Sequence, residues 1–411
     1  MNEQLCWVWL QLVFGQGSKR PFQLVEIYQT AENLYKTDTK ELLEKQHVTK
    51  SEAAKMNQTP IEKAAKIIES HLQYGASVIT PDSPDYPERL RNISSPPAVL
   101  YVIGSIADID NEVAIGVVGT RSPSQYAMNA AYAISRDLAA AGAVVVSGLA
   151  KGLDACAHLG AIKVKGKTVA FLGSGLNVEY PSENHEIYQY IRKNNTLITE
   201  YSLGTPASGS NFPVRNRLIA GLVNGVLMTQ VPKRSGASIT GNYATDFNRD
   251  LFCLPPADIF SEEWLGVKPF IENGAKVIFS AKDILDEYMT IYPEKINLEV
   301  HSDLFKRMIQ NIKDSLKGKK KKNAANSGGK NKNKPGNINE ASKPEKKPSG
   351  SVEQMGEKTF SVYRALDKDM TADDICNQTG LEISAVLVAL TELEIMGFIE
   401  ISPGNKYKRI N

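Results

Sequence analysis

From residue 113 onward the chain alternates short apolar runs with longer amphipathic ones, and few architectures accept such a pattern. The apolar runs at 113–118, 143–147, 168–172, 196–199, 226–229 and 250–254 predict strands, with 276–279 as a further one. Between them, 125–141, 153–164, 183–192, 213–222 and 238–247 carry apolar residues at helical spacing. Strands that are apolar throughout bury both faces, which a parallel sheet with helices on each side provides. The expected fold is therefore α/β, a parallel sheet with helices on both faces. Ligands of such sheets lie beyond the carboxyl ends of the strands, so the loops that leave strands hold the functional information.

At 411 residues the chain exceeds what one core ordinarily serves. Residues 1–80 read as a segment of short helices. Its turn Gly15-Gln16-Gly17-Ser18-Lys19 suits either a phosphate held on backbone amides or a plain connection, and both readings stand. Residues 81–290 hold the sheet. Residues 291–350 form a lysine-rich linker, with Lys319 to Lys322 consecutive, and 317–350 is too poor in apolar surface to order itself. Its charge suits attraction to nucleic acid and a solvated spacer equally. Residues 351–411 predict three helices, at 357–366, 371–378 and 383–396, followed by a strand, turn and strand, which is a winged-helix pattern. The third helix of that pattern ordinarily enters the major groove. Here it carries Glu382, Glu392 and Glu394 with no Lys or Arg, and only the wing is basic, through Lys406, Lys408 and Arg409. A contact with protein therefore competes with duplex binding for this unit.

Several reaction classes find no support. Cys6, Cys156, Cys253 and Cys376 lie far apart, without the paired spacing of a disulfide frame or zinc site. The five histidines lack metal-ligand spacing, so no metal and no cofactor is expected. Gly166-Lys167-Thr168 runs from helix to strand, opposite to a phosphate loop, and Gly173-Ser174-Gly175 lacks the third glycine of a dinucleotide fingerprint. Ser147-Gly148 is outside the frame of a nucleophile elbow. The run 5–14 is apolar but short, with no basic residues before it, and no run reaches membrane-spanning length, so a cytoplasmic location without membrane contact is expected.

What stands out instead is a set of loops suited to anions. The first strand leads into Gly119-Thr120-Arg121-Ser122, and the second into Gly148-Leu149-Ala150-Lys151-Gly152. The strand near Val226 leads to Lys233-Arg234-Ser235-Gly236-Ala237-Ser238 before a helix. Phe212-Pro213-Val214-Arg215-Asn216-Arg217 opens another helix, where arginines oppose the dipole unless an anion lies nearby. Glycine, hydroxyl and guanidinium at helix starts hold phosphates by amide, dipole and charge together. Four such turns on one sheet edge imply a ligand with several phosphates, and Phe212 offers a stacking face for a base. Single-stranded nucleic acid fits this set better than one nucleotide. The expected binding residues are Gly119, Thr120, Arg121, Lys151, Phe212, Arg215, Asn216, Arg217, Lys233, Arg234, Ser235, Gly236 and Ser238, with no catalytic residue.

The same motifs resemble the DprA/Smf family of bacterial DNA-processing proteins. The matching residues run in order: 94–101, Val118-Gly119-Thr120-Arg121, Ser147-Gly148-Leu149-Ala150 with Gly152-Leu153-Asp154, Tyr180-Pro181 with Asn184, the Phe212–Arg217 motif, and Ser235-Gly236 with Ile239-Thr240. The resemblance implies an extended Rossmann-like domain, a helix-hairpin or SAM-like domain before it, and a winged helix after it. It also implies single-stranded DNA binding, loading of the RecA recombinase during natural transformation, and a homodimer. Arg121 would be the principal phosphate ligand, Arg215, Asn216 and Arg217 the second wall, and the Ser235 turn the closing side. Asn177, Gln230, Pro256 and Lys268 depart from the residues usual in the family. The same superfamily includes nucleotide-binding and nucleotide-cleaving enzymes, which is the alternative reading. Such chemistry needs a carboxylate to steady an oxocarbenium-like state, and the loops offer no candidate.

Overall fold

The structure, a computed structural model, describes residues 2–233, 235–297, 357–367, 369–395, 398–402 and 406–410. It divides into two compact units, Met1–Asn326 and Ser327–Asn411.

In the first unit nine strands form one sheet: β1 (Ser77–Ile79), β2 (Leu100–Ile103), β3 (Ala114–Val118), β4 (Val144–Ser147), β5 (Thr168–Phe171), β6 (Thr196–Thr199), β7 (Gly225–Met228), β8 (Asp250–Cys253) and β9 (Lys276–Val277). Their order is β1-β2-β6-β5-β4-β3-β7-β8-β9. Neighbours from β6 to β9 pair in parallel, while β2 joins β6 antiparallel and β1 joins β2 antiparallel. The predicted parallel strands are all present. The antiparallel edge was not foreseen, because β1 and β2 are short and lie in a stretch of turns and prolines.

Six helices precede the sheet: α1 (Glu3–Phe14), α2 (Arg20–Tyr28), α3 (Ala31–Lys36), α4 (Thr39–Glu44), α5 (Lys50–Gln58) and α6 (Ile61–Gln73). The others are α7 (Glu88–Arg91), α8 (Gln125–Ala140), α9 (Leu153–Lys163), α10 (His185–Asn194), α11 (Asn211–Leu222), α12 (Gly236–Asp246), α13 (Lys268–Glu272) and α14 (Ala281–Leu285). Strand alternation assigns them to faces. Ile115 and Val117 of β3 pack with Ala131 and Leu138 of α8 and Ala157 of α9. Ala114 and Val118 pack with Leu218, Ile219 and Leu222 of α11 and Ala244 of α12.

The segments read as separate domains, 1–80 and 81–290, share a core. Trp7, Leu10 and Leu24 lie in one apolar cluster with Tyr101 of β2, Ala170 of β5 and Leu197 of β6. The ordered chain also runs beyond 290: Tyr292 and Ile296 pack against the α8 side, and the Asn297 N–H donates to Ala141 O at 2.9 Å. The lysine-rich stretch at 317–350 lies outside the described residues. Among the described residues no helix is long and apolar enough to cross a membrane.

The second unit contains α15 (Glu357–Ala365), α16 (Ala372–Thr379) and α17 (Ile383–Ile395), followed by the antiparallel hairpin β10 (Ile399–Ser402) and β11 (Lys406–Arg409). Thr371 and Asp374 form a capping box at the start of α16, and Gly380 ends it with φ 70°. Val362, Ile375, Val386, Leu390 and Phe398 fill the core of this winged helix. Two of the wing's cations have partners within the unit. Arg409 donates to the carbonyls of Tyr363 and Arg364 at 2.7 Å each, and Lys408 lies 3.7 Å from Glu400.

The shared core makes a specific demand on stability. Leu10 is fully buried between α1 and the sheet, and Leu10→Ala should destabilise the first unit by about 2–5 kcal/mol. In urea, the fluorescence of Trp7 and Trp9 should lose its signal together with the sheet's far-ultraviolet dichroism. Separate transitions would contradict the shared core.

Candidate nucleic-acid interface

The strand order reverses between β3 and β7, since the chain runs outward through β4, β5 and β6 and returns to β7 on the other side of β3. In sheets of this kind the ligand crevice lies at such a switch point, outside the carboxyl ends. The loop after β3 enters it, tied down by the Thr120 N–H donating to Gln230 O at 2.9 Å. Gly119 is confined there, because a Cβ would fall 2.3 Å from both Leu153 Cδ1 and Thr229 Oγ1. Gly152, with φ +84°, lets the start of α9 close on the same loop, and a Cβ would approach Thr120 O to 2.6 Å.

Arg121 is exposed, and its guanidinium lies over the Phe212 ring, 4.7 Å from the centroid. Such a contact contributes roughly 0.5–1 kcal/mol at an exposed site and fixes the direction of the charge. The stacking face expected of Phe212 is therefore taken by Arg121. Arg215 approaches the same ring to 5.7 Å, and Gly173 abuts it so closely that a Cβ would lie 2.8 Å from Phe212 Cδ1.

Arg215 and Arg217 do not form the expected phosphate wall. Both are buried, each at 3% exposure. Arg215 Nη1 donates to Gly148 O at 2.5 Å and to Phe171 O. Its charge faces buried Asp154, which accepts from the N–H groups of Gly148 at 3.2 Å and Ala150 at 3.3 Å. Arg217 pairs with buried Glu200, Nη2 to Oε1 at 2.7 Å. The anions implied by the motif are thus carboxylates of the chain itself. Phe212 and Asn216, four apart, share a face of α11 that Arg217 leaves; Arg215, three from Phe212, stays beside that ring and is turned inward by the carbonyls of Gly148 and Phe171. Asn216 stays at the crevice, where its Nδ2 donates to Gly236 O at 3.2 Å and ties α11 to the start of α12.

Burial governs the ionisation of this network. Desolvation pushes Arg215 down to about 10, opposed by Asp154, and pushes the Asp154 and Glu200 carboxyls up against the pull of Arg215 and Arg217. His158, on the next turn of α9, is pushed down to about 3 by burial and then by the Arg215 charge.

The remaining predicted residues differ in exposure and in partners. Lys151 Nζ sits 3.5 Å from Glu183 Oε1, with both side chains substantially exposed. Lys233 is exposed, and its N–H donates to Glu262 O at 3.3 Å. Ser235 caps α12, its Oγ accepting from the Ala237 N–H at 3.2 Å. Gly236 is exposed and Ser238 half-buried, while Arg234 lies outside the described residues. Sequence reasoning missed Asp154 and Glu200 as counter-ions, although each stands in a strand-exit segment where a buried arginine needs one. It also missed the linking role of Gln230. Gln230 Oε1 accepts from Ser124 N and Oγ at 2.8 Å each, and Nε2 donates to Glu263 at 2.8 Å.

An open, mostly parallel α/β sheet with a cationic loop edge, followed in sequence by a winged helix, defines the class. The profile of the family described as DNA recombination-mediator protein A matches residues 77–289, and that of the DprA winged helix domain matches 357–405. The chain is 32% identical over 428 residues to protein Smf of Synechocystis, covering 99% of each chain. It is 34% identical over 225 residues to the DNA processing protein DprA of Bacillus subtilis, covering 55% of this chain and 75% of that one. The crystal structure of DNA processing protein A from Streptococcus pneumoniae superposes with a TM-score of 0.59 at 28% identity, over 70% of this chain and 98% of that one. The chain belongs to the DprA/Smf family of DNA processing proteins.

Two stability effects follow from the buried network. Glu200→Ala leaves Arg217 buried without its counter-ion and should lose about 3–5 kcal/mol in denaturant titration. His158 is neutral in the folded chain down to about 3, whereas the unfolded imidazole takes up a proton below about 6.5. Its contribution is full above that upper value and is lost as pH falls through the window between them, by up to about 1.4 kcal/mol per pH unit. His158→Gln should show a shallower decline across that window, and equal slopes would contradict the assignment.

Proposed function

We propose that the carboxyl edge of the sheet binds single-stranded DNA and that the chain, as a cytoplasmic homodimer, passes this DNA to the RecA recombinase during natural transformation. The observation that carries the reading is Arg121, exposed at the switch point and aimed by Phe212. Around it stand Lys151, Lys233 and the Ser235–Gly236 turn, which together offer charge and amides to successive phosphates. The family's description as a recombination mediator supports the RecA step. A bond-cleaving role is disfavoured by the nearby carboxylates: Asp154 and Glu200 are buried, Asp154 accepting from the Gly148 and Ala150 N–H groups and Glu200 paired with Arg217. The winged helix adds little phosphate affinity, since α17 carries no Lys or Arg and Arg409 is held by carbonyls.

Three exposed or partly exposed cations predict the salt dependence. With Arg121, Lys151 and Lys233 each meeting one phosphate, the log–log slope of affinity against salt should be about −2, from about −0.7 per contact. Arg121→Ala should weaken binding to labelled oligothymidylate in fluorescence anisotropy and flatten that slope by about 0.7. An unchanged affinity and slope would remove Arg121 from the interface. For the RecA step, RecA filament growth on a strand coated with single-strand binding protein should accelerate when the chain is added.

A further inference from the structure

Opposite the crevice, where β4, β5 and β6 begin side by side, the edge of the sheet is made by a different set of turns. The turn from α9 into β5 reads Lys163-Val164-Lys165-Gly166-Lys167, and its three lysines are exposed. The turn from α10 into β6 lies beside it, since Asn195 Oδ1 accepts from the Thr168 N–H at 2.8 Å, and it follows exposed Lys193. Exposed Lys295 joins them from the segment after α14. Its Nζ lies 3.4 Å from Glu112 Oε1, which Lys167 Nζ approaches to 2.9 Å. Among the described residues these turns thus set five lysines against Glu112, which two of them share, and exposed Glu294.

Lysines in the last turn of a helix are ordinary, because they offset the dipole, so Lys163 and Lys193 alone would carry little. Lys165 is different. It closes α9 in the left-handed region, with φ 55°, its N–H donating to Ile162 O and the Gly166 N–H to Ala161 O at 2.9 Å each. That position favours glycine, and a side chain there strains the backbone. The turn is also seated firmly, since a Cβ on Gly166 would lie 2.6 Å from Ala139 Cβ. A charge kept at a strained position on a fixed turn points to a use for the charge. No ring accompanies it: among the described residues of this unit the exposed aromatic side chains are Tyr126, Tyr180, Phe260 and Phe279, all on other segments. Point charges without a stacking face suit a phosphate backbone whose bases are already paired.

We infer a second nucleic-acid site at the amino edge of the sheet, where Lys163, Lys165, Lys167, Lys193 and Lys295 hold the phosphate backbone of double-stranded DNA. Glu112 spaces Lys167 and Lys295 without cancelling them, because one carboxylate serves two cations. The site lies at the end of the strands opposite Arg121, so one chain can hold a single strand at one edge and a duplex at the other. It stands on its own observations and does not rest on the single-strand reading above.

The test follows the fluorescence anisotropy of a labelled duplex and of labelled oligothymidylate with the full chain across a salt series. The triple variant Lys163→Ala, Lys165→Gly, Lys193→Ala should weaken duplex binding and flatten its log–log salt slope by about 2.7, from about 0.9 per lysine. It should bind oligothymidylate like the parent. Lys165→Gly alone should flatten the duplex slope by about 0.9 without lowering the midpoint of denaturant unfolding, because glycine accepts the left-handed backbone. That variant separates loss of the charge from loss of the fold. Arg121→Ala should leave the duplex unaffected. An unchanged duplex slope in the triple variant would overturn the site, as would a parent chain that does not bind duplex at low salt. Equal losses on both DNAs, or a duplex loss in Arg121→Ala matching that of the triple variant, would overturn its separateness and the site with it. If Arg121→Ala leaves oligothymidylate binding unchanged while the triple variant loses the duplex, the single-strand reading fails and this site stands.

Discussion

A single buried guanidinium joins the loops that make the carboxyl edge. Arg215 meets the carbonyl of Gly148 after β4 and that of Phe171 at the end of β5, and its charge partly offsets the burial of Asp154 at the start of α9. A charge taken that far from water persists only when its N–H groups are met and its counter-ion is near. The loop after β4 is shaped to this demand. Gly148 lies flush on the guanidinium, where a Cβ would sit 2.4 Å from Nη1, and its own N–H turns back to Asp154. The edge is therefore shaped by a polar network in which each member depends on the others.

That network decides what the surface can present. By drawing Arg215 and Arg217 inward, α11 leaves Phe212, Asn216 and the neighbouring Arg121 to face the crevice. The inward arginines also consume the carboxylates that would otherwise repel a phosphate. Asp154 and Glu200 are close to the site in sequence and topology but are buried beneath it, Glu200 paired with Arg217 and Asp154 bonded to the N–H groups of Gly148 and Ala150. A crevice with exposed cations above and neutralised acids below attracts anions without any further device.

The parallel strands were legible because each is a self-contained apolar run, and the expected 196–199 coincides with the observed Thr196–Thr199. The helix starts are fixed by side-chain caps in the structure, Ser124 before α8 and Thr371 before α16. The edge strands were not legible, because β1 spans Ser77–Ile79 and acquires its pairing only from β2. The direction of the arginines in α11 was hidden for a different reason. Residue type shows that a helix start is cationic, but the azimuth of each side chain depends on what packs beside the helix. That was set by Gly148, Phe171 and Glu200, which arrive from three other strands. Arg121 lies in the loop after β3, and its direction is set by the Phe212 ring of α11.

The helical segment before the sheet bears on the site through the same helix. Gln11 of α1 donates to Glu200 O at 2.8 Å, and His71 of α6 accepts from the Leu203 N–H at 3.3 Å. His71 Nδ1 also meets Ile67 O at 2.7 Å, so both bonds together require the neutral ring with its proton on Nδ1, which its burial favours. Gly17, with φ +73°, brings its turn onto Val214 and Arg217 of α11, and a Cβ there would lie 2.8 Å from Val214 Cγ1. The Gly15–Gly17 turn thus packs on the helix that carries the interface, which favours a structural role over a phosphate cradle. If that layer shifted, Glu200 and Arg217 would move with it, then α11, then the ring beneath Arg121. The direction of the exposed arginine is in this sense a property of the shared core.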